Sequence, residues 1–201
     1  MWVGKGIELV QCIFNMKKIS TLFQKDPNDL GRVINEINPE NQWVFDGKAI
    51  STQKFDGTSC AIINRELYRR YDAKNGKLAP QGAIPCQEAD QITGHHPHWV
   101  KCINTNPEDI YFFEGFANLV NKEDGTYELC GPKLQANPEK LIYHQLIKHG
   151  SAVLTLPSLN YHELKEYLSN PENDMEGIVF HHKMDERMCK LRKKDFGIKR
   201  E

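Results

Sequence analysis

No run of apolar residues approaches the roughly 20 that a membrane-spanning helix needs, so the sequence offers no helical membrane anchor. The first stretch, "MWVGKGIELVQCIF", is broken by Glu8 and Gln11 and lacks a small-residue cleavage site. It reads as a first strand or short helix, not as a signal peptide. Cysteine is present but never paired: Cys12, Cys60, Cys86, Cys102, Cys130 and Cys189 are scattered without a CxxC. That spacing argues against a disulfide frame or a zinc site and reads as reduced, mostly buried thiols of a cytoplasmic or other reducing intracellular compartment. There is no internal repeat and no low-complexity linker, so the expectation is a single domain over 1–201. Net charge is nearly absent as well. At −1 it argues against a globally basic nucleic-acid binder.

The average charge hides a gradient. Residues 183–201 hold eight Lys or Arg against four acids, and residues 107–128 hold six acids against the single Lys122. One basic end and one acidic centre suit a phosphate-handling cleft that also needs carboxylates for a metal. With 39% apolar and 26% charged residues, the rest of the composition is that of an ordinary soluble globule.

Coarse patterning predicts an antiparallel, β-rich α+β fold. "NQWVFDGKAISTQKF" and "TSCAIINRELYRRYD" read as strands with turns, the first turning at Asp46–Gly47 and the second at Asn64–Arg65–Glu66. Lys74 to Pro107 reads as loops with short strands, while "DIYFFEGFANLV" and "GTYELCG" are aromatic and β-rich, joined at "NKEDG". "NPEKLIYHQLIKHG" fits a helix capped by Asn137 or a strand through Leu141, Tyr143 and Ile147. "LNYHELKEYLSN" predicts a helix with an Asn160/Glu163 capping box and Leu164, Tyr167 and Leu168 on one face. "EGIVFHH" and "MCKLRKK" read as a final antiparallel pair about a turn at Lys183–Glu186.

Lys54 stands between turns and strands that would hold it in place, which a nucleophile needs and a solvated lysine does not. It belongs to Lys-x-Asp-Gly with Asp56 and Gly57. Arg70 in "ELYRRYD", read as the end of a strand, Glu128 in "YELCG" and Glu176 in "DMEGIVFHH" follow in order, and Lys190–Leu191–Arg192 closes the series. Residues i and i+2 of a strand point to one face, so Lys190 and Arg192 would act together. A free lysine titrates near ~10.4, and neighbouring cations would lower that value.

These residues resemble the covalent nucleotidyltransferase superfamily of ATP-dependent DNA ligases, RNA ligases and mRNA capping enzymes. Lys54, Asp56 and Gly57 match its first motif, "EGIVF" its fourth and "MCKLRKK" its fifth. "KISTLFQKD", "ELCGPKLQANP", "LIKHG", "LPSL" and "MEGIVFHH…CKLRKKDFGI" more closely resemble small RNA ligases of the vertebrate RNA ligase 1 type, which join a 5′-phosphate to a 3′-hydroxyl. Two departures are Arg192, where the fifth motif usually has a second lysine, and Ala136, where that group commonly has glycine.

The resemblance implies a nucleotidyltransferase (adenylation) domain, with Lys54 attacking the α-phosphate of ATP to become lysyl-AMP and with Lys190 and Arg192 as catalytic cations. Nucleotide binding would involve Lys54, Asp56, Gly57, Arg70, Glu128, Glu176 and Lys190. Glu176 would hold Mg²⁺, with Mn²⁺ as a substitute, and the partners would be RNA 5′-phosphate and 3′-hydroxyl ends, in RNA repair. No obligate protein partner is expected. Only nine residues follow Arg192, so no appended OB-fold is expected. A minimal ATP-dependent DNA ligase and a catalytically silent RNA-binding domain are the alternatives. Among the remaining residues, His149 and one of His181 and His182 are candidates for the site's neighbourhood, and "HHPHW" suits a solvated loop better than a metal site. Phe112, Phe113 and Phe116 suit a core better than a base-stacking platform.

Overall fold

A computed structural model describes residues 19–74, 76–90 and 94–200; the amino-terminal stretch read as a strand or helix, with Cys12, lies outside the described residues. In chain order the strands are β1 (Ser20–Thr21), β2 (Phe23–Lys25), β3 (Val33–Ile37), β4 (Ala49–Lys54), β5 (Thr58–Ile63) and β6 (Glu66–Ala73). They continue as β7 (Ile84–Pro85), β8 (His96–Lys101), β9 (Gly125–Cys130), β10 (Gln145–Lys148), β11 (Gly177–His182) and β12 (Met188–Arg192), with helices α1 (Ile110–Asn118) and α2 (Tyr161–Ser169). Among the described residues every strand pairing is antiparallel apart from the parallel β1–β12 contact. The fold is α+β, as the patterning predicts. No helix among the described residues is long and apolar enough to cross a membrane.

The chain divides into two compact units. One holds Gly57–His149 and carries a six-stranded sheet ordered β10-β9-β5-β6-β8-β7. The other joins Ile19–Asp56 to Gly150–Glu201 and carries the sheet β1-β12-β11-β4 with the ribbon β2-β3. Because the second unit is assembled from both sides of the first, neither junction has the linker composition that marks a boundary in sequence. Lys54 ends β4 and Thr58 opens β5, so Asp56–Gly57 joins strands of two different sheets and is not a hairpin turn.

In the four-stranded unit, Ile178, Phe180, Cys189 and Leu191 form one face and bury against Leu22, Phe23, Trp43, Val44, Leu164 and Leu168. In the six-stranded unit, Cys60, Ile62, Tyr127 and Leu129 pack under α1 through Phe112, with Phe113 and Phe116 against the same cluster, so these aromatics are core. The opposite face carries a smaller cluster of Ala61, Ile63, Cys86 and Trp99. The β5–β6 hairpin turns at Asn64 and Arg65, both at positive φ (52° and 65°), as the sequence predicts.

Three stretches depart from expectation. Trp43–Phe45 is helical: Asn38 caps a short turn over Pro39–Asn41, accepting the Glu40 N–H at 3.2 Å, and a wide helical turn follows over Val44–Lys48. Trp43 and Val44 are adjacent and both buried, which a strand facing one core cannot achieve. Gly47, at φ +73°, releases the chain into β4.

"DIYFFEGFANLV" forms α1. Its approach is capped by Asn106 with Pro107 following, and Phe112 and Gly115 recur three residues apart on the buried face. A Cβ on Gly115 would lie 2.8 Å from Leu129 Cδ1, so helix and sheet touch there.

"NPEKLIYHQLIKHG" forms no helix, and only its end is strand. Asn137 instead closes a local ring, accepting the Leu141 N–H at 3.0 Å and donating to the Leu141 carbonyl at 2.9 Å. In α2 Asn160 accepts the His162 N–H at 2.9 Å, but its own N–H goes to Ser158 Oγ at 2.8 Å, so Glu163 is not the return arm of a capping box.

Candidate functional site

The free face of the four-stranded sheet collects the singled-out cations. Gly177 of β11 stands opposite Lys54 on one side and Arg192 on the other, and Val179 stands between Thr52 and Lys190. Directly opposed residues in antiparallel strands share a face. Lys54, Lys190 and Arg192, from stretches 136 and more residues apart, therefore line one surface. The glycine between two of them is obligatory: a Cβ on Gly177 would lie 2.3 Å from the Leu191 carbonyl oxygen.

Each cation is then held by a specific neighbour. Lys54 Nζ donates to Glu176 Oε2 at 2.5 Å, and both side chains are mostly covered. Arg192 does not point its fork outward. Nε and Nη2 donate to Asp195 at 3.1 and 2.8 Å, the Arg192 N–H adds a third bond at 2.9 Å, and Lys25 Nζ a fourth at 2.9 Å. Asp195 has no exposed surface. Burial alone would raise its carboxyl, yet the bonds from Arg192 and Lys25 hold it below the ordinary carboxylate range. Lys190 behaves oppositely: burial, then the charges of Arg192 and Lys54, push its amine down to about 8 against the pull of Asp195 and Glu176. The set is four cations, Lys25, Lys54, Lys190 and Arg192, against two carboxylates, Glu176 and Asp195, a surplus that suits phosphate.

β12 ends at Arg192 and the chain curls into a short helical turn over Lys193–Phe196. Strand alternation therefore ends at Arg192, and Lys194 does not continue the face of Lys190 and Arg192. Asp195 and Lys25 were not singled out in the sequence. Asp195 leaves a faint signal, an acid three residues after Arg192 in a basic run; Lys25 is 170 residues away and leaves none.

In the six-stranded unit, Arg70 lies mid-strand in β6, not at its end, directly opposite Trp99. Its register, two residues from Tyr68, puts it on the face shared by Thr126 and Glu128. Glu128 is fixed at both oxygens: Oε1 accepts the Gly57 N–H at 3.1 Å, and Oε2 lies 3.0 Å from His149 Nε2. Gly57 is pressed so close that a Cβ would meet the Leu129 carbonyl oxygen at 2.2 Å, so no other residue fits. The sequence named Lys54, Asp56, Gly57, Arg70, Glu128, Glu176, Lys190 and Arg192. Of these the structure gathers Lys54, Glu176, Lys190 and Arg192 in one unit, and Gly57 with Glu128 in the other; Asp56 is half-buried at the junction.

The remaining candidates separate. His181 lies on the Lys54 face with Nε2 3.0 Å from Thr52 Oγ1, whereas His182 faces the other way and orders the Lys183–Glu186 turn through Asp185 and Arg187. His95 pairs with Asp72 at 2.7 Å, and His98 is buried in β8. The basic end is largely paired: Arg187 with Asp185, Arg192 with Asp195 and Arg200 with Asp174, while Lys194 and Lys199 are exposed. Cys60, Cys86, Cys102, Cys130 and Cys189 are buried and form no disulfide among the described residues. Burial pushes Cys86 and Cys102 up to about 12, which makes them poor nucleophiles.

No group of three or more His, Cys, Asp or Glu that could hold a metal ion gathers among the described residues. Mg²⁺ seldom needs such a cage, since it keeps several waters and takes one or two carboxylates plus substrate phosphates. A single carboxylate, Glu176, beside a phosphate-suited cation set fits that pattern.

No curated protein matches the chain. Residues 108–200 match a family model described as RNA ligase 1. This segment contains Glu128, Glu176, Lys190 and Arg192 but not Lys54, which the β4–β11 pairing sets against it. The match covers a little under half of the chain and supports its placement in an RNA ligase family.

Proposed function

We propose that the protein is an ATP-dependent RNA ligase of the vertebrate RNA ligase 1 type, a nucleotidyltransferase domain that seals 5′-phosphate and 3′-hydroxyl RNA ends in RNA repair. The observation that carries this reading is the row Lys54–Gly177–Arg192, with Glu176 hydrogen-bonded to Lys54. Lys54 Nζ attacks the α-phosphorus of ATP; the new P–N bond replaces the bond to pyrophosphate, and the amine gives up a proton. Glu176 orients the amine beforehand and holds Mg²⁺. The ion, when bound, supplies charge neutralisation on the phosphates.

Lys190 contacts the α-phosphate, a role suited to an amine already partly desolvated. Arg192 contributes charge from a fixed position, its fork held by Asp195. Glu128 binds ribose hydroxyls, and Arg70 contacts the ribose or the phosphate being joined. The adenylate then passes to the RNA 5′-phosphate, and attack by the 3′-hydroxyl releases AMP. Phosphoryl-group chemistry of this kind relies on positioning and charge more than on further covalent help.

Incubation with α-labelled ATP and Mg²⁺, followed by a denaturing gel, tests the reading. Label retained by the parent and lost in Lys54→Ala supports it, as does joining of a pre-adenylated RNA donor without ATP. No covalent label with any divalent metal overturns it. Preference for GTP would point to capping, and sealing of DNA nicks in preference to RNA would point to a DNA ligase.

A further inference from the structure

One cluster has more order than ribose binding by a lone carboxylate requires. Thr126 and Glu128 are neighbours on one face of β9, and the ring of His149 spans them, with Nδ1 3.0 Å from Thr126 Oγ1 and Nε2 3.0 Å from Glu128 Oε2. His149 also donates its backbone N–H to the Thr126 carbonyl at 3.0 Å, so ring and backbone are tied to the same residue. β10 delivers it there, since Lys148 pairs with Tyr127 in the last rung of that ladder. An imidazole that accepts from the Thr126 hydroxyl donates to the carboxylate from its other nitrogen. The second carboxylate oxygen is held by the Gly57 N–H, and Gly57 itself packs directly against the Leu129 backbone. Glu128 is thus clamped in one rotamer, 13% exposed, and as a carboxylate it only accepts hydrogen bonds. Each oxygen can accept more than one bond, and the ligand group that matches two fixed, adjacent acceptors is a vicinal diol.

We propose that His149 is a positioning residue: anchored by Thr126, it fixes the Glu128 carboxylate for the 2′,3′-diol of a ribonucleotide, so that this clamp sets preference for ATP over deoxy-ATP. The proposal rests on the ligase reading above. A loose carboxylate would still bind ribose, but it would discriminate poorly. A buried acceptor with a fixed direction rejects the analogue that lacks its partner hydroxyl.

The test is lysine adenylation by the full chain with ATP and with 2′-deoxy-ATP, resolving KM from the rate at saturation. The parent should prefer ATP. His149→Ala should raise KM for ATP by about tenfold, the scale of one hydrogen bond to a charged group, with a much smaller change in the saturated rate. The ATP over 2′-deoxy-ATP ratio should shrink by a similar factor. His149→Gln, which restores a donor, should recover part of both. Thr126→Val removes the ring's anchor without touching Glu128, and should move both quantities in the same direction by a smaller factor. It also serves as the readout if His149→Ala fails to fold. Unchanged KM and discrimination in a folded His149→Ala or in Thr126→Val, with the parent adenylating normally, would overturn the clamp alone. A parent that forms no adduct would overturn the ligase reading and the clamp with it.

Discussion

The two sheets fix the polar groups on their site-bearing faces by opposite means. On the four-stranded sheet the fixing is ionic: Lys54 is held by Glu176, and Arg192 and Lys25 by the buried Asp195. On the six-stranded sheet a carboxylate is fixed by a peptide N–H and a histidine ring. The single-contact pair of Lys54 with Glu176 can re-pair when phosphate arrives, which suits a group that must change partner during transfer, while Arg192 keeps its place on Asp195. A carboxylate held by a backbone amide keeps its direction whatever ligand is present, which suits recognition. The first face should therefore govern rate and the second affinity.

The largest expected break in that contrast is at Glu176. Glu176→Ala should lower adenylation by roughly two orders of magnitude, the scale of losing one preorganised electrostatic contact at a transferring group. Stability should fall by only about 1–2 kcal/mol: both side chains are mostly covered, with exposures of 25% and 18%, so Lys54 loses a carboxylate it cannot fully replace with water, but it keeps the Phe55 carbonyl. Single-turnover adenylation and thermal melting separate the two effects. A loss of less than about tenfold would leave Glu176 without the role assigned here.

Arg192 should show the reverse balance. Arg192→Ala leaves Asp195 fully buried without its two guanidinium bonds, keeping only the backbone N–H of residue 192 and Lys25, a change that costs roughly 2–4 kcal/mol as a lower urea midpoint, besides slowing adenylation. Arg192→Lys keeps the charge but not the fork, so it should fall between the two. If Arg192→Ala is as stable as the parent, Asp195 is not the hub that the geometry describes.

Lys190 supplies a pH test of the ionic face. Its folded-state amine titrates near 8, below the ordinary lysine value near ~10.4 that it would have when unfolded. Below about pH 8 both states hold the proton and the native state carries the full penalty of a crowded, desolvated charge. Between these values the unfolded chain binds more protons, so stability should rise with pH across that window. The buried thiols of Cys60, Cys86, Cys102 and Cys189, held above their ordinary value, pull the other way once the unfolded chain's cysteines ionise, so the readout is a difference: between pH 7 and pH 9.5 the urea midpoint of the parent should move upward relative to that of Lys190→Met. An equal response in both would remove Lys190 as its source.

Much of the ionic face was legible because its parts are short, local motifs: Lys54-x-Asp56-Gly57, Glu176–Gly177 and Lys190-x-Arg192 each occupy adjacent positions. Strand alternation correctly put Lys190 and Arg192 on one side. What stayed hidden depends on contacts distant in sequence or on the end of a strand. Lys25 reaches Asp195 across 170 residues, and the curl after Arg192 cancels alternation for Lys194. The aromatic runs misled because β-propensity mostly reports fit to a half-buried surface. Trp43–Val44 and Phe112–Gly115 obtain the same burial from helical turns, with Asn38–Pro39 and Asn106–Pro107 as the overlooked start signals. His149 was suspected only through family likeness, and its partners, Thr126 and Glu128, become visible once β9 and β10 are paired.

The smallest expected effect lies away from both faces, in the loop between β9 and β10. Gln135, Ala136 and Asn137 run consecutively at φ 47°, 60° and 55°, the left-handed region that costs an ordinary side chain about 1–2 kcal/mol. Asn137 is suited to it and is locked by its two bonds to Leu141. Ala136 has no such compensation and is exposed, so its methyl group packs against little. It also stands where the resembling ligases commonly have glycine, the residue this backbone favours. Ala136→Gly relieves the strain but loosens the unfolded chain, so the net gain should be about 0.5–1 kcal/mol, or roughly 1–4 °C in Tm. Adenylation rate and ATP affinity should both stay unchanged. A loss of stability would show that the left-handed turn is not what holds this loop, and a change in ATP affinity would tie the loop to the Glu128 face.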